Sequence, residues 1–170
     1  MFSNRKPQMG LFLFLLLMGL SGFSGVARAA EPCHDSVEAE RRYTICSFDL
    51  AVSQLRLFWA AHDGTPYGSY ATLARELKNS GDTLIFAMNA GMFHPDRSPV
   101  GLYIEAGRKI RPVNTKTGPG NFHMKPNGIF YFGDKSAGIM ESARFLKFGI
   151  QPQYATQSGP LLVASGIFHP

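Results

Sequence analysis

Three short stretches of this 170-residue chain set hydrogen-bonding side chains and glycines where buried strands are expected to end. The first, residues 86–93 (FAMNAGMF), puts Asn89 and Gly91 directly after an apolar run. Asparagine both donates and accepts hydrogen bonds and tolerates left-handed backbone, while glycine lets a ligand reach the main chain. The second, residues 120–130 (GNFHMKPNGIF), carries Asn121, His123, Lys125 and Asn127 at alternate positions. In an extended chain these four share one face and form a polar wall with one cation and one titratable imidazole. The third, residues 155–163 (ATQSGPLLV), sets Gln157 and Ser158 ahead of Gly159-Pro160. Each stretch also has a plainer reading. Asn and Gly are common turn residues, Asn127-Gly128 is a turn signal by itself, and Pro126 interrupts the alternation.

Several chemistries fit less well. Ser158 lacks the G-x-S-x-G spacing of a nucleophile elbow, and no His–Asp pairing can be assigned to it. The five histidines stand at 34, 62, 94, 123 and 169, none of them in an H-x-x-x-H or H-E-x-x-H pattern. His94 with Asp96 reads as a surface turn, so no metal or other cofactor is expected. No carboxylate pair of the ordinary glycosidase kind is evident: Glu105 and Glu141 fall on or near strands and Asp96 in a loop.

The elements that must position these groups are mostly strands. Residues 42–48 and 55–60 are rich in β-branched and aromatic side chains and read as strands. Residues 69–78 read as a helix with Ser69 as N-cap, an apolar face including Leu73 and Leu77, and Gly81 as the stop. The continuous apolar run 84–88 (LIFAM) reads as a fully buried central strand. Hairpins are expected over 100–105 with 109–113 and over 128–132 with 137–140, separated by a Gly/Pro loop at 114–121. A short helix at 142–148 and a strand at 160–164 follow, and a return strand begins at Ile167. The fold class is α+β, with a mixed, largely antiparallel sheet and few flanking helices. Because the sequence stops on a beginning strand, it is expected to be part of a longer protein.

The N-terminus carries an export signal. Arg5 and Lys6 precede the apolar run 11–20, and Ala27-Arg28-Ala29 supplies a cleavage site, so residues 1–29 are expected to be removed. The apolar run of 10 residues is about half of what a membrane-spanning helix needs, so no stable anchor is expected after cleavage. Of the 17 Lys and Arg, three lie in the leader (Arg5, Lys6 and Arg28), leaving 14 against 12 acidic residues. The mature net charge of about +2 gives no reason to expect a nucleic-acid partner. Residues 30–170 are read as one domain that is periplasmic or secreted. In that compartment Cys33 and Cys46 are expected to form a disulfide.

Taken together, Asn89-Ala90-Gly91-Met92-Phe93, Ser98-Pro99-Val100-Gly101-Leu102, Gly120-Asn121-Phe122, Lys125-Pro126-Asn127-Gly128 and Gln157-Ser158-Gly159-Pro160 resemble the phosphodiester glycosidase domain family. Members of that family continue with an Arg-x-Gly-Val-Gly-like strand and a Leu-Asp-Gly-Gly-like element, neither of which occurs in these residues. The resemblance implies hydrolysis of a glycosyl phosphodiester, with a carbohydrate or sugar-phosphate partner. Its leaving group is a phosphate monoester, which departs without full protonation, so positioned donors can replace a strong acid. On this reading Asn89 and Asn127 orient sugar and phosphate, with His123 as a proton carrier. Gly91, Asn121, Lys125, Gln157 and Ser158 bind substrate. The alternative is a non-catalytic glycan-binding or envelope-associated module, and the oligomeric state stays open.

Overall fold

The computed structural model describes residues 32–133 and 136–168. The expected export signal, residues 1–29, lies outside the described residues. The chain divides into two compact units, one ending at Cys46 and the other running from Ser47.

The first unit is a hairpin of β1 (Cys33–Glu38) and β2 (Arg41–Cys46). Its two-residue turn holds Ala39 and Glu40 at φ 48° and 62°. Two consecutive positive φ values match the twist of a tight hairpin, a conformation usually marked by Asn-Gly. Ala-Glu carries no such mark, so β1 is not legible in the sequence. Cys33 stands opposite Cys46 and is disulfide-bonded to it, and Thr44 donates to Asp35 across the strands at 2.8 Å. An isolated two-stranded ribbon is marginal in water, and closing a loop of this length is worth on the order of 3 kcal/mol. Cys33→Ser is therefore expected to remove amide-exchange protection from β2. Unchanged protection there would show that the ribbon holds without the bond.

The second unit is built on a five-stranded sheet in the order β4-β3-β7-β5-β6, every pairing antiparallel. Its strands are β3 (Tyr103–Glu105), β4 (Arg108–Arg111), β5 (Gly128–Phe132), β6 (Ala137–Glu141) and β7 (Tyr154–Ser158). With the helices α1 (Tyr70–Asn79) and α2 (Ser142–Phe148), this is the α+β architecture expected. Ser69 caps α1 by accepting the Thr72 N–H at 3.1 Å, and the helix buries Leu73 and Leu77. One face of the sheet packs Ile104, Ile129 and Ala155 with Phe145 of α2; the other packs Tyr103 and Phe132 with Leu57. Strand alternation makes this division, sending neighbouring side chains to opposite faces. A two-residue hairpin, β8 (Val163–Ala164) and β9 (Ile167–Phe168), follows. Among the described residues no helix is long and apolar enough to cross a membrane.

Three expected strands are placed differently. Residues 55–60 run without a ladder: the Trp59 N–H donates to the Glu105 carboxylate at 3.2 Å, and Arg56 pairs with Asp82. Only an isolated bridge between Ala60 and Pro66 remains there. Residues 84–88 are not a buried central strand; Ile85 is 76% and Met88 68% exposed. The central strand is β7, immediately before Gly159-Pro160, and of the strand expected at 160–164 only Val163–Ala164 forms, as β8.

Candidate functional site

The site is organised around Gln157, which is 1% exposed at the centre of the sheet. Its Oε1 accepts the N–H groups of Leu102 and Asn114, each at 2.9 Å. Its Nε2 donates to the Asn114 carbonyl at 2.9 Å and to Ser142 Oγ at 3.1 Å. The Ser142 hydroxyl in turn donates to the Asn127 carbonyl, and Asn127 Nδ2 donates to the Phe122 carbonyl, both at 3.2 Å. Asn114 extends the chain of bonds by donating to the Val100 carbonyl at 3.0 Å and accepting the Lys116 N–H at 3.1 Å. Gln157, continued by the side chains of Asn114, Ser142 and Asn127, thus ties residues 100–102, 114–116, 122–127 and the start of α2 together. Both ends of its amide are satisfied by protein groups, so Gln157 acts as a brace beneath the surface.

Glycines let the three chemically marked segments meet on this frame. A Cβ on Gly91 would meet the Thr156 hydroxyl and would stand 3.1 Å from the Gln157 carbonyl. A Cβ on Gly159 would lie 2.7 Å from the Phe122 carbonyl and 2.9 Å from that of Asn121. Residues 89–91 and 121–127 therefore both lie directly against β7 or its end.

The pleat then sorts the side chains. Gln157 shares a face with Ala155, and Ser158 shares the opposite face with Thr156. Asn127 is buried with Gln157, at 2% exposure. Asn121 and Lys125 are exposed and His123 half-buried. The expected single polar wall does not form, because residues 121–123 make a 3₁₀ turn rather than extended chain. His123 Nδ1 lies 3.0 Å from the Lys116 carbonyl, and a carbonyl can only accept. That contact requires a proton on Nδ1, so in the neutral imidazole Nε2 is the acceptor. Asn89 is exposed, and its Oδ1 accepts the Tyr70 hydroxyl at 2.8 Å, leaving its Nδ2 hydrogens for a ligand. His94 and Asp96 form the expected surface turn, in which the Asp96 carboxylate accepts from Ser98 N–H and Oγ.

Sequence reasoning missed Glu141 as a neighbour of the site. In register, Gly128 stands opposite both Glu141 and Ser158, so one row across three strands carries a carboxylate and a hydroxyl. Glu141 also lines an open cleft of about 370 Å³ with Lys125, Pro126, Leu161 and Ala164. Only pairing register reveals this, because β6 and β7 are separated in sequence by α2. Ser142 and Asn114 were missed for the same reason.

Glu105 is excluded from the site by register. Ile104 pairs with Ala155, which puts Glu105 one step further from Ser158, roughly 13 Å along the strand. Burial pushes the Glu105 carboxyl above its ordinary 4.5, against the Trp59 N–H, the Arg108 charge and the Tyr103 hydroxyl. The folded chain thus holds this proton at a pH where the unfolded chain has released it. Stability contributed by the neutral form is lost as pH rises from about 4.5 through the raised value. Glu105→Gln keeps an acceptor for Trp59 and is expected to flatten this loss, read as melting temperature against pH. Parallel curves for the two proteins would refute the assignment.

Comparison with known proteins bears on the same residues. The phosphodiester glycosidase family model matches residues 82–170, which include all of 89–91, 121–128 and 157–159. The chain is 31% identical over 162 residues to the uncharacterized protein YigE of Escherichia coli (strain K12). That match covers 94% of this chain and 60% of YigE, so the chain spans about three-fifths of the relative's length. No solved structure matches it. With the family model covering more than half of its residues, the chain belongs to the phosphodiester glycosidase family.

Proposed function

We propose that the chain is exported and serves in hydrolysis of a glycosyl phosphodiester or a related envelope glycan. The observation that carries this reading is the meeting of residues 89–91, 121–128 and 157–159 at one end of β7, with donors outside and a satisfied brace beneath. Asn89 supplies neutral donors and Lys125 a cation for phosphate oxygens. Ser158 faces the same side as Gly91's contact with Thr156. The His123 Nε2 lone pair is the group able to take a proton from an attacking water. In that step the water oxygen bonds to the anomeric carbon and the carbon–oxygen bond to phosphate breaks. The phosphate monoester then leaves with the bonding electrons beside Lys125.

A second reading, a glycan-binding module without turnover, is favoured by one observation. Of the two carboxylates on the five-stranded sheet, Glu105 stands far from Ser158, which leaves Glu141 alone. One experiment separates the two. The chain is recovered from the periplasm, its mass is checked for cleavage after Ala29, and it is incubated with a panel of synthetic sugar phosphodiesters. Release of free sugar, falling ~100-fold in Asn89→Ala and Lys125→Ala, is the expected result for loss of a positioned donor. Calorimetric binding without release selects the second reading, and neither binding nor release overturns both.

A further inference from the structure

Lys125 and Glu141 carry opposite charges into one cleft without neutralising each other. The cleft holds about 370 Å³, at the small end of the range for small-molecule sites, and Pro126, Leu161 and Ala164 supply its apolar surface. Among the described residues the ion pair is Arg56 with Asp82, and neither Lys125 nor Glu141 has a salt-bridge partner. Arg144, three residues beyond Glu141, lies over the Phe148 ring at 5.9 Å instead. Main-chain bonds fix the walls. The Leu161 N–H donates to the Pro126 carbonyl at 2.7 Å, and the Ser142 N–H donates to the Asn127 carbonyl at 3.0 Å. Gly128 stands between Glu141 and Ser158 in their row, and a Cβ on it would lie 3.0 Å from Leu161 Cδ1. Leu161 therefore covers the middle of that row and separates the Glu141 carboxylate from the Ser158 hydroxyl.

We propose that this cleft takes the group esterified to the far side of the phosphate, and that Glu141 selects a short amino alcohol there. The assignment rests on the proposed reading in which Lys125 receives the phosphate. Lys125 then meets the phosphate oxygens, and the Glu141 carboxylate accepts from the ammonium. Pro126, Leu161 and Ala164 meet the methylenes between those two charges. A sugar or other polyol fits this lining less well, because it would press hydroxyls against three side chains that neither donate nor accept hydrogen bonds. An acidic group at that position would be repelled by Glu141. The carboxylate thus serves specificity for the leaving group, on the side of Leu161 away from Ser158.

The test reads binding and needs no turnover. Chemical-shift titrations of the exported chain compare aminoethyl phosphate, propyl phosphate and glycerol phosphate. Aminoethyl phosphate is expected to bind about tenfold tighter than the other two, the gain of one charge-assisted hydrogen bond, with shifts at residues 125–128 and 161–164. Glu141→Gln should bring that ratio near one, whereas Glu76→Gln, at an exposed site on α1, should preserve it. Glu141→Lys should reverse the preference in favour of carboxyethyl phosphate. Equal affinities in the unaltered chain, a ratio that survives Glu141→Gln, or no binding at all overturns the proposal. So does glycerol phosphate binding as tightly as aminoethyl phosphate, which would mean that Glu141 reads hydroxyls. Sugar release without this preference removes the cleft assignment alone. The preference without sugar release from any phosphodiester keeps the cleft assignment and removes the hydrolysis.

Discussion

Gln157→Ala is expected to destabilise the sheet unit by about 3–5 kcal/mol and to abolish the proposed hydrolysis where the unit no longer folds. The substitution strands the buried Leu102 N–H and the half-buried Asn114 N–H and frees the Asn114 carbonyl and Ser142 hydroxyl from their shared partner. Each buried polar group left unpaired costs about 1–3 kcal/mol, and water entering the vacated space recovers part of that. The total is a large share of the roughly 5–15 kcal/mol that holds a domain together. Gln157→Glu is expected to be as damaging, since a carboxylate oxygen would replace the amide nitrogen that donates to the Asn114 carbonyl. Ser158→Ala, one residue on and across the pleat, should shift stability by less than about 0.5 kcal/mol while still altering substrate handling. Denaturant melts of the three variants check the assignment. A mild Gln157→Ala, or a Ser158→Ala as severe as it, would show that the two residues do not divide between frame and surface.

The ease of reading each element from sequence follows how local its cause is. α1 carries its own instructions, a Ser69 cap and Leu73 and Leu77 on one face, and it forms where expected. The β5–β6 hairpin and α2 are likewise marked by their own residues. β7 is not. Its sequence YATQS has few apolar residues, yet Ala155 is fully buried and Gln157 nearly so. A small residue is needed there to sit beneath α2's Phe145, and a polar one to tie four distant segments, and neither need is visible along the chain itself. The β1 turn was unreadable because Ala39 and Glu40 adopt a conformation their residue types do not advertise. The run 84–88 errs in the other direction, since its composition describes a covered strand and the described residues do not cover it. For the site, the three segments were legible as a set, but the pleat and the 3₁₀ turn decide which side chains reach solvent. That sorting moves Gln157 and Asn127 into the frame and brings Glu141 to the row of Ser158.

Gly159→Ala is expected to cost about 1–3 kcal/mol of stability, the usual penalty for an overpacked contact. It should lower the proposed sugar-phosphodiester turnover far more than that loss implies. The added Cβ would press on the Phe122 and Asn121 carbonyls, which are main-chain atoms and cannot rotate away. Phe122 is itself buried, and its carbonyl accepts the Asn127 amide, so the turn cannot yield without moving Asn127 as well. Relief must come as a displacement of residues 121–127 against the end of β7. That is the relative position on which Lys125, His123 and Ser158 depend if they act on one substrate. A misplacement of about 1 Å in such a constellation is enough for a ~100-fold loss of rate. Gly81 supplies the contrast. It has φ +85° with open space around a Cβ, so Gly81→Ala costs only the left-handed backbone penalty of about 1–2 kcal/mol and leaves turnover intact. The two variants thus have overlapping stability costs and opposite catalytic consequences. Turnover measured well below both melting temperatures decides between them: equal rates would mean that the contact of Gly159 with the 121–122 turn serves packing alone.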